Sequence, residues 1–183
     1  MDPRERPRRR MTAGSETRIR AALPTEYAEI DRLIDAAYAH DYGEDEHDDD
    51  PMHRSAVRAE SFDVWVATDE HGDLLGSVTT RRAGGPPLHE DVAADELDLR
   101  LLGVAVRARR RGIAAALMRH VLAEARTQGF SAVVLKTAPN MRGAHRLYET
   151  LGFERAPERD GLWIDGVRVL ELFTYAQRLD DLD

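Results

Sequence analysis

The chain has 183 residues, no cysteine and a formal net charge of -8 at pH 7. This length suits one domain with a sizeable core, and without cysteine there can be no disulfide, thiolate nucleophile or cysteine-based zinc site. The acidic balance argues against a general nucleic-acid-binding protein, and no apolar run is long enough to span a bilayer.

The chain opens on residues rich in proline, arginine, glycine and serine, without an apolar period. We predict a disordered basic tail over residues 1–16, and one domain over 17–183. Since polar residues rather than an apolar stretch follow the arginines, we expect no secretion signal and a cytoplasmic protein.

In the first half of the domain the sequence predicts an amphipathic helix, a short second helix and a hairpin. A strand fits residues 17–22, and helical spacing of apolar residues predicts a helix from Pro24 or Thr25, with Thr25 as its N-cap, to about Ala39. The acidic segment 43–50 is interpreted as a solvated loop or a lid, which could serve solubility or steer a cationic amine. A short helix over 54–61 then precedes strands at 62–67 and 74–80, joined by a turn.

The second half alternates strands and helices. A loop over 83–94 leads to a buried strand at 97–106, a helix at 112–128, a strand at 131–137 and a helix at 141–151. One or two closing strands follow around Trp163 and 167–175. Gly129-Phe130 and Gly152-Phe153 both have the pattern of a Schellman helix end. Together these elements predict an α/β layered fold, with a mixed, mainly antiparallel sheet of six to seven strands flanked by helices.

The stretch from Asp98 to Ala115 carries the most chemical information. In it a buried strand runs into a turn of arginines at 107 and 109–111, then a glycine, then a helix. The free N–H groups and the dipole at the start of a helix form an anion site, and arginine suits phosphate oxygens. By itself the pattern is equally typical of a solvated basic turn.

Several motifs in order resemble the GNAT superfamily of N-acetyltransferases. Arg109-x-x-Gly112-x-Ala114 is similar to its (R/Q)-x-x-G-x-(G/A) signature, Leu102-Gly103-Val104 falls on its acyl-CoA strand, and Asn140 with 147–153 (LYETLGF) resembles its ending. The resemblance implies acetyl-CoA as co-substrate and no metal. The implied cofactor-binding residues are Leu102, Gly103, Val104, Arg109, Arg110, Arg111, Gly112, Ile113, Ala114, Ala115 and Asn140.

The resemblance also implies catalytic roles. Tyr148 falls on the general acid that protonates the departing CoA thiolate, although it also belongs to an apolar helical stripe. The N–H of Gly103 or Val104 would polarise the thioester carbonyl. Asp98 is the predicted base for the amine, with Glu96 as the alternative, and either could instead be a solvated carboxylate. Asn140 is equally interpretable as the N-cap of the helix at 141.

The predicted reaction is direct transfer of an acetyl group to a primary amine of a small molecule or peptide, with both substrates bound at once. The alternative is a catalytically silent CoA-binding sensor, and a second rival has the basic tail and arginine turn binding nucleic acid. We expect no nucleic-acid or membrane partner, and a homodimer through the last strands is open. The acceptor itself cannot be read from the sequence.

Overall fold

The computed structural model describes residues 16–43 and 50–179. The predicted basic tail therefore lies almost entirely outside the described residues, as does most of the acidic segment. The helices are α1 (Tyr27–Tyr42), α2 (Ser55–Ser61), α3 (Ile113–Thr127) and α4 (Arg142–Thr150). The strands are β1 (Arg18–Ala21), β2 (Asp63–Thr68), β3 (Leu74–Thr80), β4 (Glu96–Val104), β5 (Ala132–Thr137), β6 (Glu154–Arg155), β7 (Leu162–Ile164), β8 (Val167–Leu170) and β9 (Phe173–Arg178).

Seven of these strands form one sheet in the order β1-β2-β3-β4-β5-β9-β6. Only β4 and β5 run parallel, and α3 connects them, as a parallel pair requires. One apolar core joins α1 to Val64, Val66 and Leu74, while a second core joins α3 and α4 to the other face. The predicted layered fold is thus confirmed, with helices covering both faces of a mainly antiparallel sheet.

The parallel pair at the centre of the sheet separates part of the way along. Strand β4 pairs with β5 only through residues 96–98, although both strands continue beyond that point. Leu101 has a φ of 56° and interrupts the register with β3, so β4 carries a bulge there. A bulge bends its strand, and residues 99–104 accordingly have no β5 partner. The sheet therefore forks immediately after Asp98.

Both predicted Schellman ends are present. Gly129 and Gly152 have positive φ, and the N–H groups of Phe130 and Phe153 donate to the carbonyls of Ala125 and Tyr148. These are the six-to-one bonds that define the motif. Because the second bond ends on Tyr148, the Gly-Phe pair fixes the helix turn that carries this residue.

The closing segment differs from the prediction in two ways. Three strands (β7, β8 and β9) form where one or two were expected, and β6, of two residues, was not predicted at all. Strands β7 and β8 form a separate hairpin, whose Asp165-Gly166 turn has positive φ at both residues. The Glu90 carboxylate accepts hydrogen bonds from both N–H groups of that turn and so ties the hairpin to the loop before β4.

Substituting Gly76 by alanine should destabilise the protein, because Gly76 lies on β3 directly against β4. A Cβ at this position would lie 2.9 Å from the backbone oxygen of Gly103 and 3.1 Å from side-chain atoms of Ile113 and Leu117. Since the nearest atom belongs to the backbone of β4, the strand itself must move. We expect the free energy of unfolding to fall by about 1–3 kcal/mol in urea titrations. Gly143→Ala, where nothing lies within 4 Å of the added Cβ, should leave stability unchanged or raise it.

Candidate active site

Residues 102–104, at the end of β4, lie beyond the point where this strand separates from β5. Ala105 donates its N–H to Leu75 on β3, and the register pairs Gly103 with Ser77. The direction in which backbone N–H and C=O groups point alternates from residue to residue along an antiparallel strand. The backbone groups of Gly103 therefore also point toward β3, whereas those of Leu102 and Val104 point into the gap toward β5. Of the two N–H groups considered for polarising a thioester, the register therefore favours Val104 over Gly103.

The arginine turn leads into the open end of α3. Arg110 and Gly112 both have left-handed backbone conformations, with φ of 61° and 74°. Backbone turns of this kind form anion-binding nests. The first helical bond runs from Ala116 N–H to Gly112, and no side chain caps the helix. The N–H groups of Ile113, Ala114 and Ala115 are therefore without helical partners, and no side chain of the described residues 16–43 and 50–179 caps this end.

The arginines of the turn have different partners. Nη1 of Arg109 forms an ion pair with both carboxylate oxygens of Asp41, at 2.7 and 2.9 Å, and Nε donates to the carbonyl of Val104 at 3.3 Å. Arg107 donates instead to the carbonyl of Leu74. Burial favours a neutral Asp41, but hydrogen bonds from His40 and Arg109 outweigh it and lower the pKa of Asp41. The guanidinium of Arg109 thus ties the end of α1 to the turn.

A cavity of about 600 Å³ joins the fork to the helix end. Its walls come from α1, the end of β4, the arginine turn with the start of α3, and one side of α4. Of the residues predicted for the site, it is lined by Leu102, Gly103, Val104, Arg109, Arg110, Gly112, Ile113, Ala114, Ala115, Asn140 and Tyr148. Arg111, which lies between Arg110 and Gly112 in the turn, is exposed and does not line the cavity.

Tyr148 reaches the cavity from α4 and is only 6% exposed. Its ring packs against Phe153 and Tyr175 at centroid distances of 6.0 and 5.9 Å. Burial, reinforced by the neighbouring Tyr38 and Tyr42, raises the pKa of Tyr148, so the phenol keeps its proton. No described residue hydrogen-bonds its hydroxyl, which leaves that proton available to a molecule in the cavity.

Tyr38 of α1 is a cavity residue that the sequence did not single out. Its hydroxyl donates to the carbonyl of Leu102 at 3.2 Å, and burial raises the pKa of Tyr38 to about 12. The residue lies one turn after Ile34 on the same helix face, so from sequence it is indistinguishable from a packing residue.

Asn140 lies in the cavity wall and does not cap α4. Met141 occupies the N-cap position, and no side chain caps that helix. The interpretation of Asn140 as a helix cap is therefore wrong. Thr25 is likewise not a cap, because it lies inside a 3₁₀ turn that precedes α1.

The two carboxylates considered as bases both have partners in the protein. Asp98 is 0% exposed, and its Oδ2 accepts from the backbone N–H of His89 at 2.7 Å and lies 3.0 Å from His89 Nδ1. Glu96 is held by both terminal nitrogens of Arg159 at 2.9 Å. Neither residue lines the cavity, and neither is the solvated carboxylate considered from the sequence.

The forked parallel strands and the uncapped helix after an arginine turn form the arrangement that the resemblance to the GNAT superfamily implies for binding acyl-CoA. A model of the acetyltransferase (GNAT) family matches residues 27–153, which covers all of α1 to α4. The chain belongs to this family.

Curated relatives are similar to the chain over about half of its length. N-acetyltransferase 8 of Mus musculus is 41% identical over 103 residues, and N-acetyltransferase family 8 member 3 of the same species is 35% identical over 105 residues. These matches cover 56% and 57% of this chain but only 42% and 44% of the relatives, so the chain spans less than half of their length.

The structural neighbours share the fold at low identity. A GNAT-family acetyltransferase from Staphylococcus aureus Mu50 superposes with a TM-score of 0.71 and 17% identity, over 90% of this chain and 99% of its own. A putative acetyltransferase from Salmonella typhimurium, solved with its cofactor acetyl-CoA, has a TM-score of 0.62 and 20% identity, over 92% and 97% of the two chains. Within the described residues, no helix combines the length and apolarity needed to cross a bilayer.

Proposed function

We propose that the chain transfers an acetyl group from acetyl-CoA to a primary amine, with both substrates bound at the same time. The observation that carries this proposal is the single cavity that runs from the forked strands to the uncapped start of α3. A thioester arm needs backbone groups along an extended strand, and a pyrophosphate needs convergent N–H donors. The two requirements meet here in one continuous space.

Different parts of the site would bind different parts of acetyl-CoA. The nest at Arg110–Gly112 and the N–H groups of 113–115 would hold the two phosphoryl groups. The space beside Gly112 fits this role, because nothing lies within 4 Å of where its Cβ would be. Leu102 and Val104 would pair with the amide groups of the pantetheine arm as an added strand would. Arg109 acts through Asp41 and Val104 and positions the turn rather than contacting phosphate.

Tyr148 and Val104 would carry the acyl-transfer step. The N–H of Val104 faces the gap and would stabilise negative charge as it develops on the thioester oxygen. The hydroxyl proton of Tyr148 is not donated to any described residue, and Tyr148 would deliver it to the departing thiolate. With the amine held against the thioester, much of the rate comes from their juxtaposition. We take the acceptor to be a small molecule or peptide bearing a primary amine.

The test is acetyl-CoA binding followed by turnover. Acetyl-CoA should raise the melting temperature, since a ligand that binds only the folded state stabilises it. Release of CoA thiol should then be measured with lysine, spermidine, kanamycin and a peptide with a free N terminus. Release that depends on at least one of these amines would support the proposal. Binding without release on every amine would instead favour a sensor.

A further inference from the structure

We propose that Arg142, the first residue of α4, binds the 3′-phosphate of CoA, so that the protein selects CoA over 3′-dephospho-CoA; this inference rests on the proposed acetyl transfer. CoA carries this phosphomonoester on its ribose, in addition to the pyrophosphate. The N–H groups at the start of α3 would hold the pyrophosphate, which leaves the third phosphate without a partner. A phosphomonoester has a charge of roughly -1.5 to -2 at pH 7.

The cavity has more positive charge than its own side chains neutralise. Its lining contains three arginines, Arg109, Arg110 and Arg142, but only one carboxylate, that of Asp41. Asp41 is already paired with Arg109 at 2.7 Å. Within residues 16–43 and 50–179, the guanidinium groups of Arg110 and Arg142 have neither a hydrogen bond nor an ion pair. Two positive charges therefore remain for a ligand.

The positions of these two arginines give them different tasks. Arg110 belongs to the left-handed turn itself, with a φ of 61°, so its side chain extends from the place where the pyrophosphate would bind. Arg142 lines the same cavity from α4. The 3′-phosphate and the pyrophosphate are attached to one ribose, so the third phosphate must lie near the start of α3 but not on it. The wall beside Arg142 is open there, because nothing lies within 4 Å of where a Cβ of Gly143 would be.

The stability of α4 does not explain an arginine at this place. The partial positive charge at a helix start repels a cation, and the first turn of α4 contains no acidic residue that would offset the repulsion. Arg142 is also exposed, so packing does not require it. A bound phosphate removes the conflict, because it is attracted by the guanidinium and by the helix start. Arginine suits this role, since its planar group can donate two parallel N–H bonds to phosphate oxygens.

The test compares CoA with 3′-dephospho-CoA, which differ only in this phosphate, by isothermal titration calorimetry. Wild type should bind CoA about 10- to 100-fold more tightly, as expected of hydrogen bonds between charged groups. In Arg142→Gln the Kd for CoA should rise by a similar factor, while the Kd for 3′-dephospho-CoA should stay within about twofold of wild type, because only the interacting pair is coupled. The melting temperature should be unchanged or higher, since a cation is removed from a helix start.

Two further variants separate this role from others. Arg146→Gln removes the same charge one turn later on α4, where the residue is exposed and does not line the cavity. It is the matched control, and both Kd values should stay near those of wild type. Arg110→Gln should weaken both ligands by a similar factor, because both contain the pyrophosphate. A readout that needs no variant is salt: since salt screens exposed charges, the wild-type preference for CoA should shrink as salt is raised.

Three results would overturn the role of Arg142. The first is equal affinity of wild type for the two ligands, the second is an equal loss for both ligands in Arg142→Gln, and the third is a preference that this variant retains. Wild type that prefers CoA but acetylates none of the four amines would contradict only the proposed function. Wild type that acetylates an amine but shows no preference would contradict only the role of Arg142, so the two failures are distinguishable.

Discussion

Replacing Tyr148 by phenylalanine should lower kcat by about 100-fold or more, because the departing thiolate loses its proton donor. The substitution removes one oxygen to which no described residue forms a hydrogen bond, and leaves the ring packing against Phe153 and Tyr175 intact. The Kd for acetyl-CoA and the free energy of unfolding should therefore change little. Steady-state kinetics and isothermal titration calorimetry separate these effects.

The pH dependence of wild-type kcat gives a second readout of Tyr148. An acid works only while protonated, and burial raises the pKa of this phenol above its ordinary value near 10. Loss of the proton from Tyr148 should therefore cause no fall in kcat below about pH 10.

The control for Tyr148→Phe is Tyr27→Phe, at a tyrosine packed on the α1 side of the sheet, which should retain wild-type kinetics. Equal losses in both variants would contradict the acid role.

Replacing Ala114 by aspartate should weaken acetyl-CoA binding by about 100-fold while preserving the fold. The new carboxylate would lie in the first turn of α3, where it would compete with phosphoryl groups for the free N–H groups and repel their charge. Two unit charges of the same sign about 4 Å apart near a protein surface repel each other by about 4 kcal/mol, and a 100-fold loss of affinity needs only about 2.8 kcal/mol. An acidic side chain at a helix start is itself stabilising, so the melting temperature should be unchanged or higher.

The matched control for Ala114→Asp places the same charge elsewhere on the same helix. Ala123 is exposed near the other end of α3 and does not line the cavity. Ala123→Asp should keep the Kd for acetyl-CoA within about threefold of wild type, because exposed charges beyond a Debye length of roughly 10 Å are largely screened. Equal affinities for Ala114→Asp and Ala123→Asp would show that pyrophosphate does not bind at the start of α3.

The sequence predicted those parts of the fold that local patterns determine. Helix α3 has a sustained apolar period, β4 is a long and largely apolar run, and each Gly-Phe pair marks a helix end through one backbone conformation. The short β6 carries no such signal, because two residues cannot show a period and their pairing with β9 depends on a strand about twenty residues later. The N-cap assignments of Thr25 and Asn140 failed because a suitable residue type does not ensure that the helix begins beside it.

The candidate site was predictable in its backbone and much less so in its side-chain pairing. Residues 109–115 are a contiguous strand-turn-helix connection, so their order along the chain already places them at one helix end. By contrast, Arg109 finds Asp41 across 68 positions of sequence, and Tyr38 reaches Leu102 across 64. Asp98 was singled out as a carboxylate, but its partner His89 lies in a glycine- and proline-rich loop whose path over β4 depends on tertiary packing.

The central claim is tested most directly by a crystal structure of the protein with CoA. The account predicts that the pyrophosphate lies against the N–H groups of residues 110–115, with the pantetheine arm bonded to Leu102 and Val104 between β4 and β5. CoA bound elsewhere, or a pyrophosphate remote from the start of α3 with the gap between β4 and β5 empty, would contradict it.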